Sequence, residues 1–188
     1  MIKVIKYYKT SLIVFSVIVF GFMTYKIVFF EVLPPEFYPV GATADEIIPA
    51  FEKLGFRFKW ADPVYGHKQI IGLSADRKCF VQLIGDNDLV GVKIAVHLSK
   101  KMPKSKLTEI RGFFFEMISL VMPHWTGGHQ WLEDKTLAIG NSGLRRTTIG
   151  NVDVTIRIDS GDGTWGVSFG DWSTLPTYAD NMWSSKTK

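Results

Sequence analysis

His129 and Glu133 stand four residues apart, with His124 just upstream, in the stretch His124-Trp125-Thr126-Gly127-Gly128-His129-Gln130-Trp131-Leu132-Glu133-Asp134. On a helix, side chains at i and i+4 share a face, so His129 and Glu133 can approach one metal ion while His124 reaches in from the preceding loop. That is the donor set of a metal-dependent hydrolase, in which the ion activates water. The spacing nevertheless departs from the zinc helix, where two His four apart bracket a Glu. The plainer reading ends one helix at His124 and Trp125, turns Trp131 and Leu132 inward, and leaves His129 and Glu133 solvated. No metal and no cofactor is therefore expected.

Other polar clusters give less. Asp159-Ser160-Gly161-Asp162-Gly163 lacks the alternating acids and late bidentate Glu of a calcium loop, and reads as a hairpin turn, as does Gly85-Asp86-Asn87-Asp88. Gly72-Leu73-Ser74-Ala75 is no nucleophile elbow, because the flanking glycines are missing. Cys79 falls in strand alternation with no base beside it and reads as a buried structural thiol. No catalytic residue is expected.

Recognition chemistry is better represented. Trp60, Tyr65, Trp125, Trp131, Trp165, Trp172 and Trp183 sit near element ends, where large rigid side chains serve either as anchors for a partner or as covers for the core. The first candidate surface is His124, Trp125, His129 and Trp131. The second is Arg145, Arg146 and Arg157, expected on the outward faces of a late hairpin.

The elements that must position these residues come from periodicity. Thr43-Ala-Asp-Glu46 is a capping box opening a helix that buries Ile47, Phe51 and Leu54 and stops at Gly55. Pro49 should kink it or move its start to Ile48. Period two then takes over: Phe56–Trp60, His67–Ser74, Cys79–Ile84 and Val90–Leu98 read as a four-stranded meander, with Gly91, Lys93, Ala95 and His97 turned from the core toward a wet or partly covered face. Leu107, Ile110, Phe114, Met117 and Val121 mark a helix after Pro103, and Thr126 caps a second one ending near Ile139. Leu144–Ile149 and Val152–Ile158 form a hairpin about Gly150-Asn151, and Trp165, Val167 and Phe169 make a last strand. That order predicts an α+β two-layer domain, an antiparallel sheet with helices packed on one face.

Residues 11–30 carry a single charge, Lys26, in an otherwise apolar run. At 1.5 Å per residue such a helix spans about 30 Å, one bilayer core. Lys3, Lys6 and Lys9 precede it and Glu31 and Glu36 come after, so the N-terminus stays cytoplasmic and the domain lies beyond the inner or plasma membrane, in the periplasm of a Gram-negative cell. No small-x-small site stands close enough for signal cleavage. The organisation expected is a cytoplasmic segment 1–10, a signal anchor 11–33, a proline-stiffened linker 34–42, a domain 43–172 and a mobile tail 173–188. The formal +4 charge belongs to the leader, because the residues beyond 30 hold 18 basic and 18 acidic groups. A balanced domain offers no footprint for a polyanion, so nucleic acid is excluded as a partner.

These features point to a non-catalytic, membrane-tethered extracytoplasmic module that binds a protein, of the kind used in defence or immunity. An accessory subunit of a membrane complex is the alternative, and a metal-dependent hydrolase using His124, His129 and Glu133 the third.

Overall fold

The computed structural model describes residues 37–98, 103–140, 142–159, 161 and 163–170. The expected anchor and the tail 173–188 lie outside them, as does the first part of the linker. Among the described residues no helix is long and apolar enough to cross a membrane.

The elements run α1 (Ala44–Lys53), β1 (Arg57–Val64), β2 (His67–Leu73), β3 (Cys79–Gly85), β4 (Leu89–His97), α2 (Lys104–Val121), α3 (Gly128–Ile139), β5 (Gly143–Ile149), β6 (Val152–Asp159) and β7 (Thr164–Phe169). The strands form one seven-stranded antiparallel sheet in the order β1-β2-β3-β4-β7-β6-β5. The chain is thus two meanders, joined where β4 pairs with β7 through the register Ile94↔Val167. The two helices between them let the second meander arrive beside the first from its far end.

Register divides the sheet into two faces, because alternate side chains point to opposite sides. Val81, Leu83, Val92, Ile94, Val96, Val154, Ile156, Trp165, Val167 and Phe169 form one core with Ile47 and Phe51 of α1, Ile110, Phe114, Met117 and Ile118 of α2, and Leu132 of α3. All three helices therefore cover the same face. Ring contacts knit that layer: Phe51 meets Phe56 and Phe56 meets Phe113 edge-on, both at 5.1 Å, and Phe114 meets Trp165 at 4.5 Å.

Several expectations shift locally. Pro49 neither delays α1 nor moves its start, and sits inside the helix at the cost of one backbone bond. The Thr43 amide and hydroxyl donate to the Glu46 carboxylate at 2.8 and 2.9 Å, which supports the early start. Strand β1 continues through Asp62-Pro63 with an irregular register between Ala61 and Val64. Proline is tolerated there because β1 is an edge strand that needs no donor on its outer side. Helix α3 begins at Gly128 with Gly127 as its N-cap, so Thr126 does not cap it.

Of the two conditions the alternation allowed for the sheet face opposite the helices, wet or partly covered, the second holds: Gly91 and Ala95 are buried, and Lys93 and His97 half-buried. Ile71, Gln82 and Ala95 are 0 % exposed and Phe80 is 1 % exposed, and register places all four on that face.

Candidate functional site

The stretch from His124 to Glu133 lies at the turn between α2 and α3 and along the outer surface of the two helices. Helix α2 ends at Val121, and the chain reverses through Pro123 and His124, with the Trp125 amide donating to the Met122 carbonyl at 3.0 Å and the Gly128 amide to the Trp125 carbonyl at 3.0 Å. Gly128 is the point of closest approach, since a Cβ there would stand 2.6 Å from the Ile118 side chain. Trp125 and Trp131 pack on each other at 5.4 Å and against the core, so they are covers more than free anchors.

His129 is held from two sides. Its ring stacks on Phe115 at 4.5 Å, and its Nε2 lies 3.0 Å from the Ser119 hydroxyl and 3.2 Å from the Phe115 carbonyl. A carbonyl oxygen only accepts, so this geometry suits a ring proton on Nε2. Glu133, one turn on, pairs with Arg111 of α2, whose guanidinium also lies over the Phe115 ring at 6.0 Å. Arg111, Phe115, Ser119, His129 and Glu133 therefore cross-brace α2 and α3. Gln130 and Asp134 add a hydrogen bond of 2.8 Å within α3. His124 is exposed on the turn.

These partners decide what the residues can do. Glu133 is committed to Arg111, and His129 presents Nε2 to Ser119 and Phe115 instead of to an ion. The candidate donors His124, His129 and Glu133 are not brought together as a ligand set: among the described residues no three His, Cys, Asp or Glu side chains converge to hold a metal.

The arginine surface splits. Arg146 opposes Thr155 and Arg157 opposes Leu144, so both lie on the sheet face away from the helices, where Arg146 pairs with Asp153 and Arg157 approaches Asp159 at 3.4 Å. Arg145 opposes Ile156 and therefore lies on the helix side, donating to the Leu144 carbonyl at 2.9 Å. Consecutive strand residues cannot share a face, which corrects the expectation that all three point outward together. Hydrogen bonds from Arg146 and Thr148 hold the Asp153 carboxyl below its usual range.

A second polar cluster is invisible to sequence reasoning because it joins a turn to a distant helix. Asp76, in the β2–β3 turn, accepts from the Ser74 hydroxyl at 2.7 Å and the Lys78 amide at 3.1 Å, and meets the Lys106 ammonium of α2 at 3.0 Å. Lys106 also reaches Glu109 at 2.9 Å. Partial burial pushes the Asp76 carboxyl up, but the Ser74, Lys106 and Lys78 donors outweigh it and bring it down to about 2. Burial pulls Lys106 down, and its hydrogen bonds to Glu109 and Asp76 reverse that and raise it. An ammonium so held cannot take a proton from Ser74, so the cluster is a clamp and not a serine–lysine dyad. Beside it, burial pushes the Cys79 thiol up to about 12, with Asp76 adding to the effect, so Cys79 is no nucleophile. The Ser74-x-Asp76-x-Lys78 spacing is the local signal for the turn; nothing local announces Lys106.

No family model matches this chain, nor does any curated protein or solved structure.

Proposed function

We propose that the chain is a single-pass, membrane-tethered module whose domain binds a protein partner outside the cytoplasm and catalyses no reaction. The observation that carries this reading is the braced outer surface of α2 and α3. His129, Glu133 and Leu137 succeed one another at intervals of four, one row down α3, and Leu137 is 81 % exposed. Arg111, Phe115 and Ser119 lock the upper part of that row. A surface fixed before binding loses little conformational entropy on association, and a row mixing charge, imidazole and a bare leucine suits a protein partner. The 20-residue apolar run 11–30 and its basic flank support the tether and the orientation. An incoming or neighbouring protein at the membrane, met in a defence or immunity role, is the partner class proposed.

The test uses the full chain in its native membrane. A photo-crosslinking residue at Gln130 or Leu137 should give one discrete protein adduct, weakened at least tenfold by Glu133→Gln with Arg111→Met. The same residue at Glu52, exposed on α1, should give none. No adduct from α3, or the same adduct from Glu52, overturns the reading. A C-terminal reporter active in the cytoplasm overturns the tether.

A further inference from the structure

The turn between β1 and β2 holds a tyrosine where its backbone favours asparagine or glycine. Two residues make that turn, Tyr65 at a φ of +48° and Gly66 at +82°. Positive φ at both positions is the type I′ geometry, in which a bulky side chain is strained. Packing uses less than half of the ring: Tyr65 meets Phe37 at 5.9 Å and is still 54 % exposed. Tyr38, Trp60 and Tyr65 are the exposed large aromatics among the described residues, and they lie on the entering chain, on β1 and on its turn. Phe37 fixes where the chain enters. It packs with Val64, Ile84 and Val90, and its ring meets His67 edge-on at 5.4 Å, so the chain arrives at this turn. Phe37 stands seven positions beyond Phe30, where the apolar run ends. Seven steps of chain reach about 25 Å at most, whatever their path, which keeps a tethered domain's β1–β2 turn within reach of the headgroups.

We propose that Tyr65, supported by Tyr38 and Trp60, docks this end of the domain on the headgroup layer of the bilayer that holds the tether, a zwitterionic phospholipid surface. The inference rests on the membrane-tethered reading above and adds the face that the domain turns to the lipid. Tyrosine and tryptophan suit the headgroup layer because the ring enters its apolar side while the hydroxyl or indole N–H stays hydrated. That use accounts for a ring kept at a turn position its backbone disfavours. Charge selects the lipid. Asp62, Asp86 and Asp88 are exposed at this end, and Asp86 draws His67 to 3.5 Å and Lys68 to 3.9 Å. Acids outnumber bases here, so a zwitterionic surface accepts this end and an anionic one repels it.

The test places the full chain in phosphatidylcholine vesicles whose headgroups carry a fluorescence quencher. A dye on Asn87→Cys reports the β3–β4 turn, which Asp86 joins to His67 and Lys68. A dye on Lys78→Cys reports the β2–β3 turn, a strand length of about 20 Å away, and Cys79 stays unlabelled because it is buried. Quenching should be at least threefold stronger at 87 than at 78. Tyr65→Asn, which suits the backbone of the turn, should cut the quenching at 87 at least threefold and leave the urea midpoint unchanged or higher. Equal quenching at the two positions overturns the docking, as does a Tyr65→Asn chain that is less stable but quenched as before. Should Tyr65→Asn lose the fold, Trp60→Ser decides in its place, with the same loss expected and unchanged quenching as the refutation. Quenching that rises when phosphatidylglycerol replaces part of the phosphatidylcholine, and falls with salt, assigns the contact to Lys68 and overturns the aromatic anchor. The tether fails in a different way: a chain stripped from the vesicles by alkaline carbonate overturns both readings, whereas a retained chain with an unquenched dye overturns the docking alone.

Discussion

Asp76→Asn is the perturbation whose effect the structure sets most directly, because the substitution keeps the size of the side chain and its capacity to accept from Ser74. What it removes is the negative charge facing Lys106. The folded carboxyl titrates at about 2 against an ordinary 3.8. At about 1.4 kcal/mol per pH unit, that gap has a ceiling of roughly 2.5 kcal/mol. Asp76 is 35 % exposed in its side chain, so water and salt screen the interaction and about 1 kcal/mol remains. The sign depends on which form the fold prefers. The charged form is favoured, so its contribution is complete above the unfolded-chain value near 4 and disappears as pH falls toward 2. Urea denaturation of the full chain in detergent should show the variant less stable by about 1 kcal/mol at pH 7, with the difference closing as the pH falls through that window. Lys106→Met should cost less in the Asp76→Asn background than alone. A difference that persists unchanged at pH 2.5, or two substitutions that simply add, would refute the clamp and assign the loss to packing.

Gly170→Ala should destabilise the domain by about 2 kcal/mol or more, because it sets a Cβ against the Val90 carbonyl at a positive φ; an unmoved urea midpoint would contradict the turn. Phe114→Ala should cost about 3–5 kcal/mol, since it empties a fully buried position that packs edge-on against Trp165; a loss under 1 kcal/mol, read from the same denaturation curves, would deny Phe114 its place in the core. The Cys79 thiol, held near 12 by burial, should resist a maleimide at pH 8 in the native protein and react at the rate of unfolding in urea. Rapid labelling of the native chain would show β3 to be open.

Period-two and period-four patterns are enough to place most elements of this domain. Val152, Val154, Ile156 and Ile158 line the helix side of β6 as their alternation requires, and Ile110, Phe114, Met117 and Val121 bury the inner stripe of α2. The boundaries that differ from the pattern do so for tertiary reasons. Strand β1 runs past Pro63 because its outer edge pairs with nothing among the described strands, and α3 starts at Gly128 because the close approach to Ile118 fixes the turn. The candidate site is half legible. His129 and Glu133 do share a row on α3, as four-residue spacing dictates. What each of them binds is hidden from the sequence, since Arg111, Phe115 and Ser119 lie on another helix and enter through packing.

Local sequence thus determined the kinds of element and the face each one buries, because those depend on a period and on the short-range chemistry of caps and turns. It also set the apolar run 11–30 and the charge balance of the residues beyond it. Tertiary structure alone decided that the two meanders fuse through β4 and β7 into one sheet, that Arg145 parts from Arg146 and Arg157, and that Asp76 is clamped by Lys106. Such pairings join residues tens of positions apart, and they are chosen by which apolar faces can be buried together.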